Sequence, residues 1–214
     1  MSDLDQLAAR LDSEFNAAQE KLKSFQSQQV QAFEAKQHRL QQLDAAFHTL
    51  RGVWLPRLEL LVRKFGERVQ VKPTIKPGRR EAVFDFQSPV ATVKLTLSAS
   101  TDADVTKLVL DYELDILPIL QQFDRHAVLE QPLDAIDAKA VGAWLDDRIV
   151  SFVKTYLSLQ DNEYYLKGHM TADPVTGIRF PTFAAAATLE KDGKTLYFIS
   201  DDTKRQYESG TAKK

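Results

Sequence analysis

The chain contains no cysteine in its 214 residues. This absence excludes disulfide bonds and thiolate chemistry, whether the thiolate would act as a nucleophile or as a metal ligand. Glycine and proline are sparse, at eight residues each, and no segment approaches the roughly 18 consecutive apolar residues that a membrane-spanning helix requires. The first residues are polar and acidic, so we expect no secretory signal and a cytoplasmic protein.

Charge of either sign is nearly balanced, with a net charge of −2, but it is unevenly distributed. Residues 55–80 carry eight Lys or Arg against two Glu, whereas residues 101–150 carry eleven acidic residues against four basic ones. Opposed patches of this kind usually face each other or the solvent. Because no pattern of interleaved aromatic residues and no known reader motif accompanies the basic stretch, nucleic acid is not an expected partner.

The N-terminal third has neither glycine nor proline before Gly52 and Pro56. Its apolar residues recur in steps of three and four, which predicts one long amphipathic, coiled-coil-like helix over residues 1–54 that ends or kinks near Pro56. The apolar residues predicted to form a helix interface are Leu4, Leu7, Leu11, Phe15, Leu22, Phe25, Phe33, Leu40, Leu43 and Phe47.

A helix of about fifty residues extends about 75 Å, which is longer than a domain of this size can cover. We therefore expect the helix to pair with a second copy of the chain or with another protein. Packing along the chain's own C-terminal part, or a mobile helix over residues 1–35, are the alternatives. The period is nearer 3.6 than 3.5, and polar residues interrupt the face near Gln29, so a regular leucine zipper is not favoured.

Residues 55–167 are predicted to form an α+β domain. The helix resumes after Pro56 and stops at Gly66, and a period of two then predicts an antiparallel meander of about four strands. Residues 98–102 have the composition of a turn between two of these strands. A covering helix is predicted to start near Asp137 and to continue to about Leu159.

The C-terminal residues 168–214 contain Asp173-Pro174-Val175-Thr176-Gly177-Ile178, followed by a Asp192-Gly193 hairpin signal and a helix start near Ser200. These motifs, within residues 173–207, resemble the YHS domain, a small metal-binding module with the pattern Asp-Pro-Val-Cys-Gly-Met. The resemblance implies a β-hairpin plus a short helix.

The resemblance also implies three metal-ligand positions, and all three lack cysteine. They are Thr176, Ile199 and Thr203. Threonine hydroxyls are weak ligands for soft metals, so we predict a degenerate, metal-free module with no cofactor. Its apolar residues, Ile178, Phe180, Phe183, Leu196, Phe198 and Ile199, exceed what so small a unit can cover, which predicts docking on the α+β body.

No catalytic residue is assigned. The most interesting polar group is Asp124, Arg125 and His126 in an expected loop, but no nucleophile motif or phosphate loop accompanies it. The sequence favours a non-enzymatic scaffold or adaptor that acts through its N-terminal helix. The alternatives are a metal-handling protein of the YHS type, and a ligand binder or enzyme with a pocket in the α+β domain near His126 or Tyr156.

Overall fold

Residues 3–210 are described in a computed structural model of the protein. Helix α1 spans Asp3–Phe65 and remains helical through Gly52 and Pro56. Of the predicted end or kink at these residues, the end was wrong. Both residues are exposed, and the carbonyl group that receives no N–H from Pro56, that of Gly52, therefore belongs to an exposed residue. The helix ends directly before Gly66, as predicted, where a positive φ of 57° turns the chain.

Five antiparallel strands follow, in the spatial order β1-β2-β3-β4-β5. The strands are β1 Val69–Lys76, β2 Arg79–Phe86, β3 Thr92–Thr101, β4 Lys107–Leu117 and β5 His126–Pro132. Alternate residues along β3 and β4 are buried, because one face of the sheet packs against helices. The predicted meander is confirmed, with five strands rather than about four.

Two details of the meander differ from the prediction. Ser98 lies within β3, paired with Asp111 of β4, so the predicted turn at residues 98–102 was wrong. The turn follows at Asp102, whose carboxylate accepts hydrogen bonds from the backbone N–H groups of Thr106 and Lys107 at 2.6 and 3.0 Å. Likewise, His126 begins β5 instead of lying in a loop.

Helix α2, Ala138–Ser158, covers the sheet beside the second half of α1. Asp137 caps it by accepting from two backbone N–H groups, which confirms the predicted start. The two helices approach closely at Gly142, where an added Cβ would lie 2.9 Å from the guanidinium of Arg57. Arg57 also pairs with Asp146 of α2 at 2.8 Å, which fixes the two helices relative to each other.

The core consists of two apolar clusters between the helices and the sheet. One is centred on aromatic rings from three elements. The ring centre of Phe86 in β2 lies 4.6 Å from that of Phe65 in α1 and 4.5 Å from that of Phe152 in α2. The other contains Leu43 and Phe47 of α1 with residues of β3, β4 and α2. Trp144 packs against both clusters.

The remaining elements form a small C-terminal unit. It follows α3, Glu163–Leu166, whose Tyr165 is buried in the first core cluster. The unit consists of the hairpins β6 Met170–Ala172 with β7 Arg179–Pro181 and β8 Ala187–Lys191 with β9 Lys194–Phe198, and of α4 Asp201–Glu208. Ser200 caps α4 in a capping box. The predicted hairpin and short helix are therefore confirmed, and the fold is α+β.

The predicted docking of this unit through its apolar residues stays a prediction. Phe180 and Phe198 are buried, and the ring centre of Phe198 lies 5.5 Å from that of Tyr207. Ile178, Phe183 and Ile199 remain exposed, and neither core cluster of the body includes a residue from the unit.

Candidate functional site

The first half of α1 projects away from the body. Every residue from Leu4 to His38 is exposed, a length of about 50 Å at 1.5 Å per residue. Eight large apolar side chains on this projection are 50–75% exposed: Leu4, Leu7, Leu11, Phe15, Leu22, Phe25, Val30 and Phe33. We call these eight residues the projecting face. Val30 lies at its edge, and it was not among the residues chosen from the sequence.

Three predicted interface residues belong to the body instead. Leu43 and Phe47 are 0% and 3% exposed within the second core cluster, and Leu40 packs against that cluster. The boundary is marked by Lys36 and Arg39, whose side chains donate to the carbonyl groups of Ala103 and Asp104 in the β3–β4 turn. One apolar face of α1 thus continues from the core into solvent.

A cavity of about 570 Å³ lies between α1, α2 and the sheet. Both tryptophans of the chain, Trp54 and Trp144, line it, together with apolar residues of β2, β3 and β4. Its polar lining includes Arg80, which lies 3.4 Å from Asp44 and 4.7 Å from the ring centre of Phe47. A mainly apolar cavity with a few polar groups is typical of ligand-binding pockets, whose volumes are roughly 300–1,000 Å³.

The polar group around His126 does not converge on one point. His126 lies 3.1 Å from Asp111, Arg125 lies 3.7 Å from Asp115, and Asp124 lies 3.5 Å from Arg148. Each of the three residues therefore has a different partner on an exposed surface. The geometry therefore offers no shared reacting position for acid–base catalysis.

Tyr156 is buried in the first core cluster, and its contacts are with core residues and the backbone. Its hydroxyl donates to the Gln87 carbonyl oxygen at 2.6 Å, and burial raises its pKa. Tyr112 is also buried, and burial raises its pKa to about 12. Within residues 3–210, the Tyr112 hydroxyl has no hydrogen-bond partner. This contrast between two buried tyrosines was not visible in the sequence.

The three degenerate metal-ligand positions meet around one carboxylate, that of Asp173, which is 1% exposed. One carboxylate oxygen accepts from the backbone N–H groups of Val175 and Thr176 at 2.8 and 3.0 Å. The other accepts from the N–H of Ile199 at 2.9 Å and from the Thr203 hydroxyl at 2.7 Å. Asp173 therefore joins the first turn of the unit to the β9–α4 junction.

Burial alone would raise the pKa of Asp173, but these four hydrogen bonds outweigh burial and lower it to about 2. The carboxylate is therefore ionised at neutral pH. Its two oxygens are occupied by N–H and O–H donors, and the positions around it offer hydroxyl and aliphatic groups. This donor set does not suit the soft metals that thiolate sites hold.

Within the described residues 3–210, no group of three or more His, Asp or Glu side chains is placed to hold a metal ion. None of the helices described is both long enough and apolar enough to cross a membrane.

No protein family, curated protein or solved structure matches this chain. The resemblance of residues 173–207 to the YHS domain stays a prediction from the motifs. The projecting face, the cavity and the Asp173 junction are thus interpreted from their own geometry.

Proposed function

We propose that the protein is a non-enzymatic scaffold or adaptor that associates through the projecting face of α1. The observation that supports this proposal is the exposure of the eight large apolar side chains, 50–75% in each case, along one side of a helix. Soluble proteins rarely expose a continuous apolar surface of this size unless it binds something.

The area involved is sufficient for association. Phenylalanine side chains bury about 150–250 Å² each and aliphatic ones somewhat less, so covering the exposed fraction of all eight removes roughly 600 Å² per chain from water. Two chains that cover each other would bury roughly 1,200 Å², which is the lower end of the range for specific interfaces. This area fits a reversible dimer whose population depends on concentration.

Light scattering after gel filtration tests the proposal. The full-length chain should have a mass above that of one 24.2 kDa chain at high concentration. Replacing Phe15, Leu22 and Phe25 with Gln should give a monomer, because these three side chains lie in the middle of the projecting face. A matched variant, Gln6→Ala with Gln31→Ala, alters exposed residues on the opposite side of the same helix and should leave association unchanged. A chain that is monomeric at every concentration would contradict self-association.

Truncation is less suitable than substitution for this test. Removing residues 1–50 would also remove Leu43, Phe47 and Leu50, each at most 3% exposed, and would open the second core cluster. A mass change after such a truncation would then report unfolding as well as association.

The cavity supports a second candidate function, binding of a small apolar ligand. Its volume of about 570 Å³ and its lining by Trp54 and Trp144 are the specific observations that favour this function. Binding can be measured with the probe 8-anilinonaphthalene-1-sulfonate, which should quench tryptophan emission because both tryptophans line the cavity. Filling the cavity with Ala82→Phe should abolish the quenching, whereas the exposed substitution Lys94→Ala should not. Equal quenching in all three proteins would contradict the assignment.

A further inference from the structure

The projecting face has an internal symmetry that indicates which partner it fits. Its large residues are distributed evenly on either side of Ala18. Leu4 corresponds to Phe33, Leu7 to Val30, Leu11 to Phe25, and Phe15 to Leu22, and the midpoint of every pair lies within one residue of Ala18. A helix with this arrangement presents nearly the same apolar spacing, to within one residue, when it is read in either direction.

Such a face is complementary to a reversed copy of itself. When two antiparallel copies are related by a two-fold axis near Ala18, each large residue lies opposite its counterpart, and the small Ala18 side chain permits close approach at the axis. A parallel copy would also place each large residue opposite a large one, but it would place Gln29 beside Gln29 in the apolar seam.

The charged residues beside the face have a matching arrangement. Asp12 and Lys23 are eleven residues apart, so at 3.6 residues per turn they lie on the same flank of the helix, within about 20° of each other. Glu14 and Lys21 are seven residues apart and share the other flank, also within about 20°. The midpoint of each charged pair lies within one residue of Ala18, as it does for the apolar pairs.

Two-fold symmetry between antiparallel helices brings the same flank of each copy together. Asp12 of one copy then faces Lys23 of the other, and Glu14 faces Lys21, which gives four ion pairs per dimer. In a parallel pair, Asp12 and Lys23 stay about 16 Å apart along the axis, and Glu14 and Lys21 about 10 Å. Within one chain, Lys23 lies 3.8 Å from Glu20, an exposed pair that contributes little.

We infer that the partner of the projecting face is a second copy of this chain, bound antiparallel with its two-fold axis near Ala18. This inference rests on the proposed self-association and adds its orientation, its centre and its ion pairs. The charge pattern carries the orientation, and the apolar pattern, which involves different residues, gives the same centre.

Cysteine cross-linking tests the orientation without background, because the chain has no cysteine of its own. Three full-length variants are needed: Ala18→Cys, Leu7→Cys and Gln29→Cys. Disulfide formation requires the two Cα atoms to be about 4.4–6.8 Å apart, so an oxidised dimer reports close contact. The Ala18→Cys variant should cross-link to itself in either orientation, and it therefore reports self-association alone.

The other two variants distinguish the orientations. In the antiparallel dimer, a mixture of the Leu7→Cys and Gln29→Cys proteins should cross-link to each other, and neither should cross-link to itself. In a parallel dimer each would cross-link to itself, because each residue lies opposite the same residue of the partner. Leu7→Cys and Gln29→Cys would not cross-link to each other, since residues 7 and 29 lie about 33 Å apart along the helix. Self-cross-linking of Leu7→Cys would overturn the antiparallel inference and leave the scaffold proposal intact. No cross-link in any variant, with a monomer mass, would overturn both.

Charge reversal gives a second test that does not depend on cross-linking. Changing Asp12 and Glu14 to Lys should weaken the dimer at least tenfold, because like charges then face Lys21 and Lys23 in both halves. Changing Lys21 and Lys23 to Glu in the same chain should restore the dissociation constant to within about threefold at low salt. Failure of this rescue, while the reversed protein remains folded by circular dichroism, would contradict the ion pairing.

Discussion

Replacing Asp173 with Asn should loosen the C-terminal unit and leave the rest of the protein unchanged. The carboxylate accepts four hydrogen bonds from three segments of this unit, at 2.7–3.0 Å. An asparagine side chain keeps one oxygen acceptor but presents an NH₂ group on its other side. If the oxygen stays with Val175 and Thr176, the NH₂ group meets the N–H of Ile199, so that donor faces donor.

The magnitude follows from the pKa of Asp173. A pKa of about 2 in the folded state, against 3.8 for an unperturbed aspartate, corresponds to roughly 2.5 kcal/mol of stability at neutral pH. Because the folded pKa is the lower one, this contribution is fully present above about pH 4. It is lost as the pH falls from about 4 to about 2. The Asp173→Asn variant should therefore lose roughly 2.5 kcal/mol or somewhat more, since a buried N–H is also left without an acceptor.

Hydrogen exchange of backbone amides measures the loss where it occurs. At pH 7, the amides of β9 and α4 should exchange about 100-fold faster in the Asp173→Asn protein, the factor that corresponds to about 2.7 kcal/mol. Unfolding followed by tryptophan fluorescence should be unchanged, because Trp54 and Trp144 both lie in the body. The matched control is Asp192→Asn, at an exposed turn position with a φ of 51° that asparagine also adopts.

Two results would refute this reasoning. Equal exchange rates in wild type and Asp173→Asn would mean that the carboxylate does not hold the unit together. A tryptophan-detected transition that shifts together with the exchange rates would mean that body and unit unfold cooperatively, so that the unit's stability is not its own.

Two further pairs of variants test the two buried tyrosine hydroxyls and the exposed cap of α2. Tyr112→Phe should raise the free energy of unfolding by about 1 kcal/mol, because it removes a buried hydroxyl without a hydrogen-bond partner among the described residues. Tyr156→Phe should lower this free energy by about 1 kcal/mol, because it removes the donor to the Gln87 carbonyl oxygen. Urea denaturation followed by tryptophan fluorescence measures both, and a destabilised Tyr112→Phe protein would show that its hydroxyl is satisfied. Asp137→Ala should lower the same free energy by about 1 kcal/mol, because α2 loses its cap. Asp134→Ala is the control and should leave the free energy unchanged. A loss of equal size in both variants would contradict a specific capping role.

Local sequence patterns predicted the elements whose signals lie within a few residues. The strand alternation of β3 and β4, the Asp137 cap and the Asp192-Gly193 hairpin each depend on adjacent or nearby positions. The end of β3 was missed because Ser98, although small and polar, pairs with Asp111 of the neighbouring strand. That pairing is non-local, and composition alone does not report it.

The candidate sites were predictable only in part. The period of the apolar residues identified the face of α1, but it is the same before and after His38, so it did not separate the exposed residues from Leu43 and Phe47 in the core. Asp173 was visible as a turn residue, yet its partners Ile199 and Thr203 are 26 and 30 residues away. The cavity depends on the packing of three elements, and no local signal encodes such a space.

The continuity of α1 has a mechanical consequence. The helix that lines the cavity with Trp54 is the same rod that carries Leu4, about 75 Å away at 1.5 Å per residue. A tilt of about 5° where α1 rests on the sheet would move the end of the projection by roughly 5 Å, a distance comparable to one helical turn. A change of shape in the body is thus amplified along the rod into a displacement as large as the spacing between neighbouring contacts on the projecting face.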